Sequence, residues 1–211
     1  MTVRYAYLRT PSTTYKENGE YSIKCAIQDG TAEADAFKAR LEALIEAKKA
    51  EATKELNPAQ KKRLSVVKPW IAEEDQETGE DTGMIVFNFK MPAQVTRKRD
   101  GKVFKFMPDL FDSAGNVLPE DIDILGGAIV EVGFTADRVY LQEVQDDEGK
   151  KRHRLGLSSD LKAVMLLEQG SGGRGGTAES YGFTKKSNGF VAPSAKSPFD
   201  TEDTQEPDGD F

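Results

Sequence analysis

The chain has 211 residues, 37% hydrophobic and 31% charged, with a formal net charge of -7; this supports one substantial core and barely two. A lone cysteine, Cys25, excludes an intramolecular disulfide, fits a reducing compartment, and reads as a small buried hydrophobe. No apolar run approaches the roughly 18 residues of a membrane span, and Met1-Thr-Val-Arg-Tyr lacks a signal-peptide core, so a soluble, cytoplasmic protein is expected.

Tyr5-Ala-Tyr-Leu and Tyr21-Ser-Ile-Lys-Cys-Ala-Ile read as short strands joined by a polar loop with Pro11, Asn18 and Gly19. Tyr21, Ile23, Cys25 and Ile27 alternate with Ser22, Lys24 and Ala26, the period of a half-buried strand. A helix is expected at about 31–56. Thr31 suits an N-cap, Glu33 and Asp35 lie in the first turn, and Phe37, Leu41, Leu44 and Ile45 share a face. Asn57-Pro58 is a stop signal. Residues 73–83 read as an acidic loop. Next, Ile85, Phe87, Phe89 and Met91 alternate with Val86, Asn88 and Lys90. Asp100-Gly101 is a hairpin turn signal joining that strand to Val103-Phe-Lys-Phe-Met. Further strands are expected at 129–134 and 139–144, with a turn at Asp147-Glu-Gly149. In 155–167 an extended chain puts Leu155, Leu157, Leu161, Ala163, Met165 and Leu167 on one face, while Leu161, Val164, Met165 and Glu168 also suit a helical turn.

Five or more strands with one inserted helix predict a mainly β fold, an OB-fold-like antiparallel barrel followed by a flexible C-terminal tail. A β-sandwich fits the same strand count. The expected domain is 1–168. Gly170, Gly172, Gly173, Gly175 and Gly176 then open a flexible Gly/Ser-rich linker, 169–196, whose scattered Tyr181, Phe183 and Phe190 cannot build a core. An acidic tail, 197–211, ends in Phe211. It holds Asp200, Glu202, Asp203, Glu206, Asp208 and Asp210 and no Lys or Arg, which leaves 30 acids against 29 basic residues in the body.

Catalysis finds little support. One histidine, His153, and one cysteine do not make a usual zinc site, and the glycine run at 170 lacks the Lys-Ser/Thr of a phosphate loop. Asp109, Asp112, Asp121 and Asp123 read as a solvated loop, with a metal-dependent nuclease as the enzymatic alternative. No catalytic residue, metal or cofactor is expected.

The basic-aromatic pattern points to single-stranded nucleic acid, because cations track phosphates while flat side chains stack on unpaired bases. Lys90, Arg97, Lys98, Arg99, Lys102, Phe104, Lys105 and Phe106 make one cluster, with Phe87 and Phe89 assigned to the core. Phe104, Lys105 and Phe106 are divided between core and groove. Lys150, Lys151, Arg152 and Arg154 make a second cluster on a turn. Trp70 and Tyr140, with Tyr5 and Tyr7, suit either burial or stacking. In the tail, Asp208, Asp210 and the ring and carboxylate of Phe211 suit capture by an apolar pocket beside a cation. The alternative from another class is a protein-interaction or virion-associated β-domain with a partner-recruiting tail and no nucleic-acid role.

Tyr5-Ala-Tyr-Leu, Phe87-Asn-Phe-Lys, Asp112-Ser-Ala-Gly, Leu125-Gly-Gly-Ala, Val164-Met-Leu-Leu-Glu and the terminal Asp208-Gly-Asp-Phe, in this order and spacing, resemble the single-stranded DNA-binding protein family of T7-like bacteriophages. The resemblance implies an OB-fold core and sequence-tolerant binding of single-stranded DNA in replication, recombination or repair. It also implies an acidic tail whose Phe211 docks on replication proteins such as a DNA polymerase or helicase-primase. A homodimer, no membrane partner and the host cell cytoplasm complete these expectations. This chain departs from the family in a shorter, less dense acidic tail and a Gly-rich linker with extra aromatics. The tail's charge suits it to compete with DNA for the domain's basic surface.

Overall fold

Long alternating segments build most of the protein, because each buries one face of a strand against the same interior. The computed structural model describes residues 1–170 other than 15, 146–148 and 150. Expectations for Lys150, for most of the 147–149 turn, for the linker beyond 170, and for Asp208, Asp210 and Phe211 lie outside the described residues. The elements are β1 (Thr2–Ser12), β2 (Glu20–Gln28), α1 (Ala32–Ala52), α2 (Pro58–Lys62), β3 (Leu64–Val66), β4 (Trp70–Glu74), β5 (Asp81–Pro92), β6 (Gln94–Thr96), β7 (Val103–Lys105), β8 (Asp109–Phe111), β9 (Ile129–Gln145) and β10 (Lys151–Glu168).

Five of these strands close into a barrel. β1 pairs with β2, β2 with β5, and β9 with β10, all antiparallel. Thr2 meets Ile129 to join β1 to β9, and Asp160 meets Lys90 in parallel register to join β10 to β5. The order around the barrel is therefore first, second, third, fifth, fourth and back to the first, the Greek-key closure of an OB-fold. The sandwich alternative fails at β10, which bonds to β9 on one side and to β5 on the other instead of leaving two separate sheets.

The interior is filled by Val3, Ile23, Cys25, Phe87, Phe89, Val130, Leu155, Leu161 and Val164. α1 packs against β9 and β10. Its Leu41 and Ile45 are buried, and the Phe37 ring lies 4.8 Å from that of Phe87 and 5.9 Å from that of Phe134. Burying each such side chain stabilises the fold by about 1.5–3 kcal/mol. Thr31 is the N-cap, accepting from the Ala34 N–H at 3.2 Å. The helix ends at Ala52, short of the expected boundary, where Thr53 caps it by donating its hydroxyl to the Lys49 carbonyl at 2.7 Å. Asn57-Pro58 starts α2 instead of only ending α1. Asn57 and Gln60 exchange two 2.9 Å hydrogen bonds as a capping box, and Pro58 needs no donor in the first turn.

Four further expectations change. Trp70 opens β4, which pairs with β5, so 73–83 contains two strand ends around a short turn. Asp100-Gly101 closes β6 onto β7 and leaves β5 unpaired with β7. The two expected strands at 129–134 and 139–144 are one, β9. The 155–167 segment is strand throughout, which removes the helical alternative. An irregularity between Leu161 and Ala163 shifts the inward face there, so Val164 is fully buried while Ala163 and Met165 are only partly so.

Candidate nucleic-acid interface

One extra residue in β1 decides which side chains face outward. Val3 pairs with Cys25 and Tyr5 with Lys24, so Arg4 has no opposite number and forms a bulge. In an unbroken strand Val3, Tyr5 and Tyr7 would share a face. Here Val3 is buried, whereas Tyr5 and Tyr7 are 43% and 38% exposed, opposite Lys24 and Ser22. Bulges characteristically re-aim side chains in this way.

Tyr5 thereby lines a groove of about 750 Å³ across the outer faces of β1, β2, β5 and β4. Arg4, Lys16, Lys24 and Lys90 supply its cations, Ile71 and Val86 its apolar surface, and Ser22 and Asn88 neutral hydrogen-bonding groups. Arg4 pairs with Glu73 through Nε and Nη2, each at 2.7 Å. The Arg4 guanidinium holds the Glu73 carboxyl below its ordinary value against the opposing effect of burial. Glu20 receives Lys16 on Oε2 and Lys90 on Oε1, the latter at 3.0 Å. Burial pushes the Glu20 carboxyl up, but the two ammonium groups outweigh it and leave it below its ordinary value. Lys24 has no carboxylate partner among the described residues.

The β6–β7 hairpin stands at the Lys90 end of this groove. β5 runs into it through Ala93, whose N–H donates to the Gly19 carbonyl at 2.9 Å, and Gln94 Nε2 donates to Asn18 Oδ1 at 2.9 Å. Gly19 has φ +72°, and a Cβ there would crowd Pro11 and Ala93 at 3.1–3.3 Å, so glycine is needed where hairpin and β1–β2 loop meet. Phe104 and Phe106 are 42% and 45% exposed and Lys105 is exposed, so none belongs to the core. Arg97 lies over the Phe104 ring at 5.2 Å and donates its Nε to Asp100 at 2.8 Å. Lys98, Arg99 and Lys102 are exposed around the turn.

Of the second basic cluster, Lys151, Arg152 and Arg154 do not line the groove. Lys151 pairs with Glu143 at 2.8 Å, Arg152 lies opposite Val144, and Arg154 lies opposite Gln142 on the distal arm of β9 and β10. Tyr140 is on the same arm, its ring laid across Gly156, where a Cβ would come within 2.3 Å of it. Trp70 is half-buried, 6.2 Å from the Phe87 ring, with Lys68 over it at 5.5 Å. It does not line the groove either. Among the residues singled out from the sequence, Lys90 and Tyr5 lie in the groove and the hairpin set adjoins it. Arg4, Lys16 and Lys24 were missed. Lys24 was legible as an outward position of an alternating strand, but Arg4 and Lys16 gave no signal until the strands were paired.

Asp112 accepts from the backbone of Ala114 and Asn116, at 2.9 and 2.8 Å, and so organises a loop. No group of three His, Cys, Asp or Glu side chains among the described residues could hold a metal ion. No described helix is long and apolar enough to cross a membrane.

Barrel order and groove together define an OB-fold protein with a basic outer face that carries an exposed tyrosine. Among solved structures, the fold is shared with gp2.5, a single-stranded DNA-binding protein encoded by bacteriophage T7, at 22% identity and a TM-score of 0.56, covering 91% of this chain and 94% of that one. The single-stranded DNA-binding protein of bacteriophage Enc34 aligns at 20% identity and a TM-score of 0.45, over 85% of this chain and 87% of its own. Its complex with single-stranded DNA aligns at 17% and 0.44, over 80% and 84%. No family model and no curated protein matches the sequence.

Proposed function

We propose that the protein binds single-stranded DNA without sequence readout along the groove between Arg4 and Lys90, and so coats and protects strands during replication, recombination or repair. The observation that carries this reading is the bulge at Arg4. It turns Tyr5 and Tyr7 outward and sets the Tyr5 ring beside Lys24 in the groove, so a ring and cations share one open face. Aromatic platforms and backbone-tracking cations are the two requirements of a single-strand binder. The OB barrel shared with the T7 protein supports the same reading.

In this proposal the protein is a binder and not an enzyme, and it works in the host cytoplasm. The β6–β7 hairpin, with Arg97, Lys98, Arg99, Lys102, Phe104, Lys105 and Phe106, extends the contact beyond Lys90. Lys151, Arg152 and Arg154, with Lys150, Tyr140 and Trp70, are held as a peripheral set. The domain spans 1–168, the linker 169–196 and the tail 197–211. The tail's six carboxylates compete with DNA, and the linker holds them at high effective concentration. Displacement frees Asp208, Asp210 and Phe211 for a replication protein.

The test is titration of the full chain with single- and double-stranded oligonucleotides of matched sequence, across salt, read by tyrosine and Trp70 fluorescence and by gel shift. Preferential binding of the single strand, weakening with a log–log salt slope of about -0.7 per phosphate neutralised, is expected. No binding of either form would remove the proposal in favour of a protein-interaction domain.

A further inference from the structure

The groove's cations differ in how they are held. Arg4 is locked to Glu73 by two parallel hydrogen bonds, and the Thr82 hydroxyl also donates to that carboxylate, at 3.3 Å. Lys24 has no carboxylate partner among the described residues. Lys16 and Lys90 share Glu20, one on each carboxylate oxygen. These two ammoniums come from separate elements, the β1–β2 loop and β5. Their side chains are half exposed, while the Glu20 carboxylate between them is largely shielded. Each ammonium has three donors, so each keeps donor directions for a second anion.

We propose that Glu20 is a built-in counter-anion that occupies Lys16 and Lys90 until a DNA phosphate takes its place; this rests on the groove being the DNA site. Glu20 halves the net charge that the lysine pair offers, from +2 to +1, so it lowers affinity. It also changes what ions move on binding. A strand that binds cations releases its condensed counterions, which makes affinity fall with salt. When the phosphate takes both lysines, the carboxylate loses its partners and recruits a cation from solution. That uptake offsets part of the release, so the groove holds DNA less tightly and with a shallower salt dependence than its cations alone would give. Glu73 does not act this way, because its pair is bidentate and further tied by Thr82. Such forks are stronger than single ammonium contacts.

The experiment compares the full chain with E20Q, E20S and E46Q in titrations with a single-stranded oligonucleotide from low to moderate salt, with melting curves alongside. E46Q is the charge control: it removes one carboxylate on α1, where Glu46 pairs with Lys49 at 2.9 Å outside the groove. Both Glu20 variants are expected to bind about fivefold tighter at low salt, as for loss of modest ion pairs, and to steepen the log–log slope by up to about one. E20S gives the same reading should E20Q fold poorly. Unchanged or weaker binding by folded Glu20 variants overturns the inference alone, as does equal tightening by E46Q. Absence of single-strand binding by the unaltered chain overturns the groove assignment and this inference with it.

Discussion

The ring of Tyr5 meets that of Tyr7 edge-on, with centroids 4.7 Å apart and planes at 89°. Both rings are on the outer face only because the chain spends one residue, Arg4, on a bulge between Val3 and Tyr5. The edge contact braces Tyr5 while leaving part of its surface open to a base.

Tyr5→Ala is expected to weaken binding of a single strand by ~1–3 kcal/mol, the usual loss per stacked base. Because Tyr5 is substantially exposed, the melting temperature should change little. Tyr5→Phe should retain most of the affinity if stacking is the contact. Fluorescence titration and thermal melting of the three proteins check this, and a Tyr5→Ala variant with unaltered affinity would remove Tyr5 from the interface.

Gly156→Ala tests the Tyr140 platform. The new methyl would overlap the tip of the Tyr140 ring, the far end of an exposed side chain that can rotate aside. A small stability loss, under about 1 kcal/mol, is expected together with a changed Tyr140 environment. In a double-mutant cycle with Tyr140→Ala the two losses should not add.

The Glu20 carboxyl lies below its ordinary value of 4.5 in the folded protein, burial opposing and Lys16 and Lys90 prevailing. A carboxylate stabilised this way contributes to folding above its unfolded value, and the contribution disappears as pH falls through the folded one. Wild type should therefore melt above E20Q at pH 7, with the gap closing below about pH 4.5. A gap that is constant across this range would show that the lysine pairing does not stabilise the fold.

Burial pushes the Cys25 thiol up to about 12. The reactive thiolate is therefore scarce near neutrality, and the sulfur sits inside the barrel. Thiol-reactive reagents should modify the native protein far more slowly than the unfolded one, at a rate that tracks barrel opening. Rapid native labelling would mean that β2 separates easily from its neighbours.

Deletion of residues 197–211 removes six carboxylates. It should tighten single-strand binding most at low salt, where Coulomb interactions are least screened. Equal affinity of both chains at low ionic strength would exclude competition by the tail.

How much was legible beforehand follows from how far each signal reaches along the chain. Thr31 with its acidic first turn announced α1, and Tyr21 to Ile27 announced β2, because capping and alternation act over a few residues. Alternation likewise marks Phe87 and Phe89 as core, and both are buried. The basic hairpin is visible as Asp100-Gly101 between charged runs, but β7 pairs with β6 and not with β5, since a turn signal does not say which strand it closes.

By itself, then, the sequence determined a mainly β chain with one long helix, the core faces of α1, β2 and β5, and the separation of an acidic end from a nearly neutral body. Only tertiary structure decided where the strands join. The parallel contact of Asp160 with Lys90 closes the barrel across some seventy residues, and no local pattern encodes such a contact. It likewise decided the groove. The face shown by Tyr5 depends on a single unpaired residue in β1, and Glu20 meets Lys90 only because β2 lies against β5.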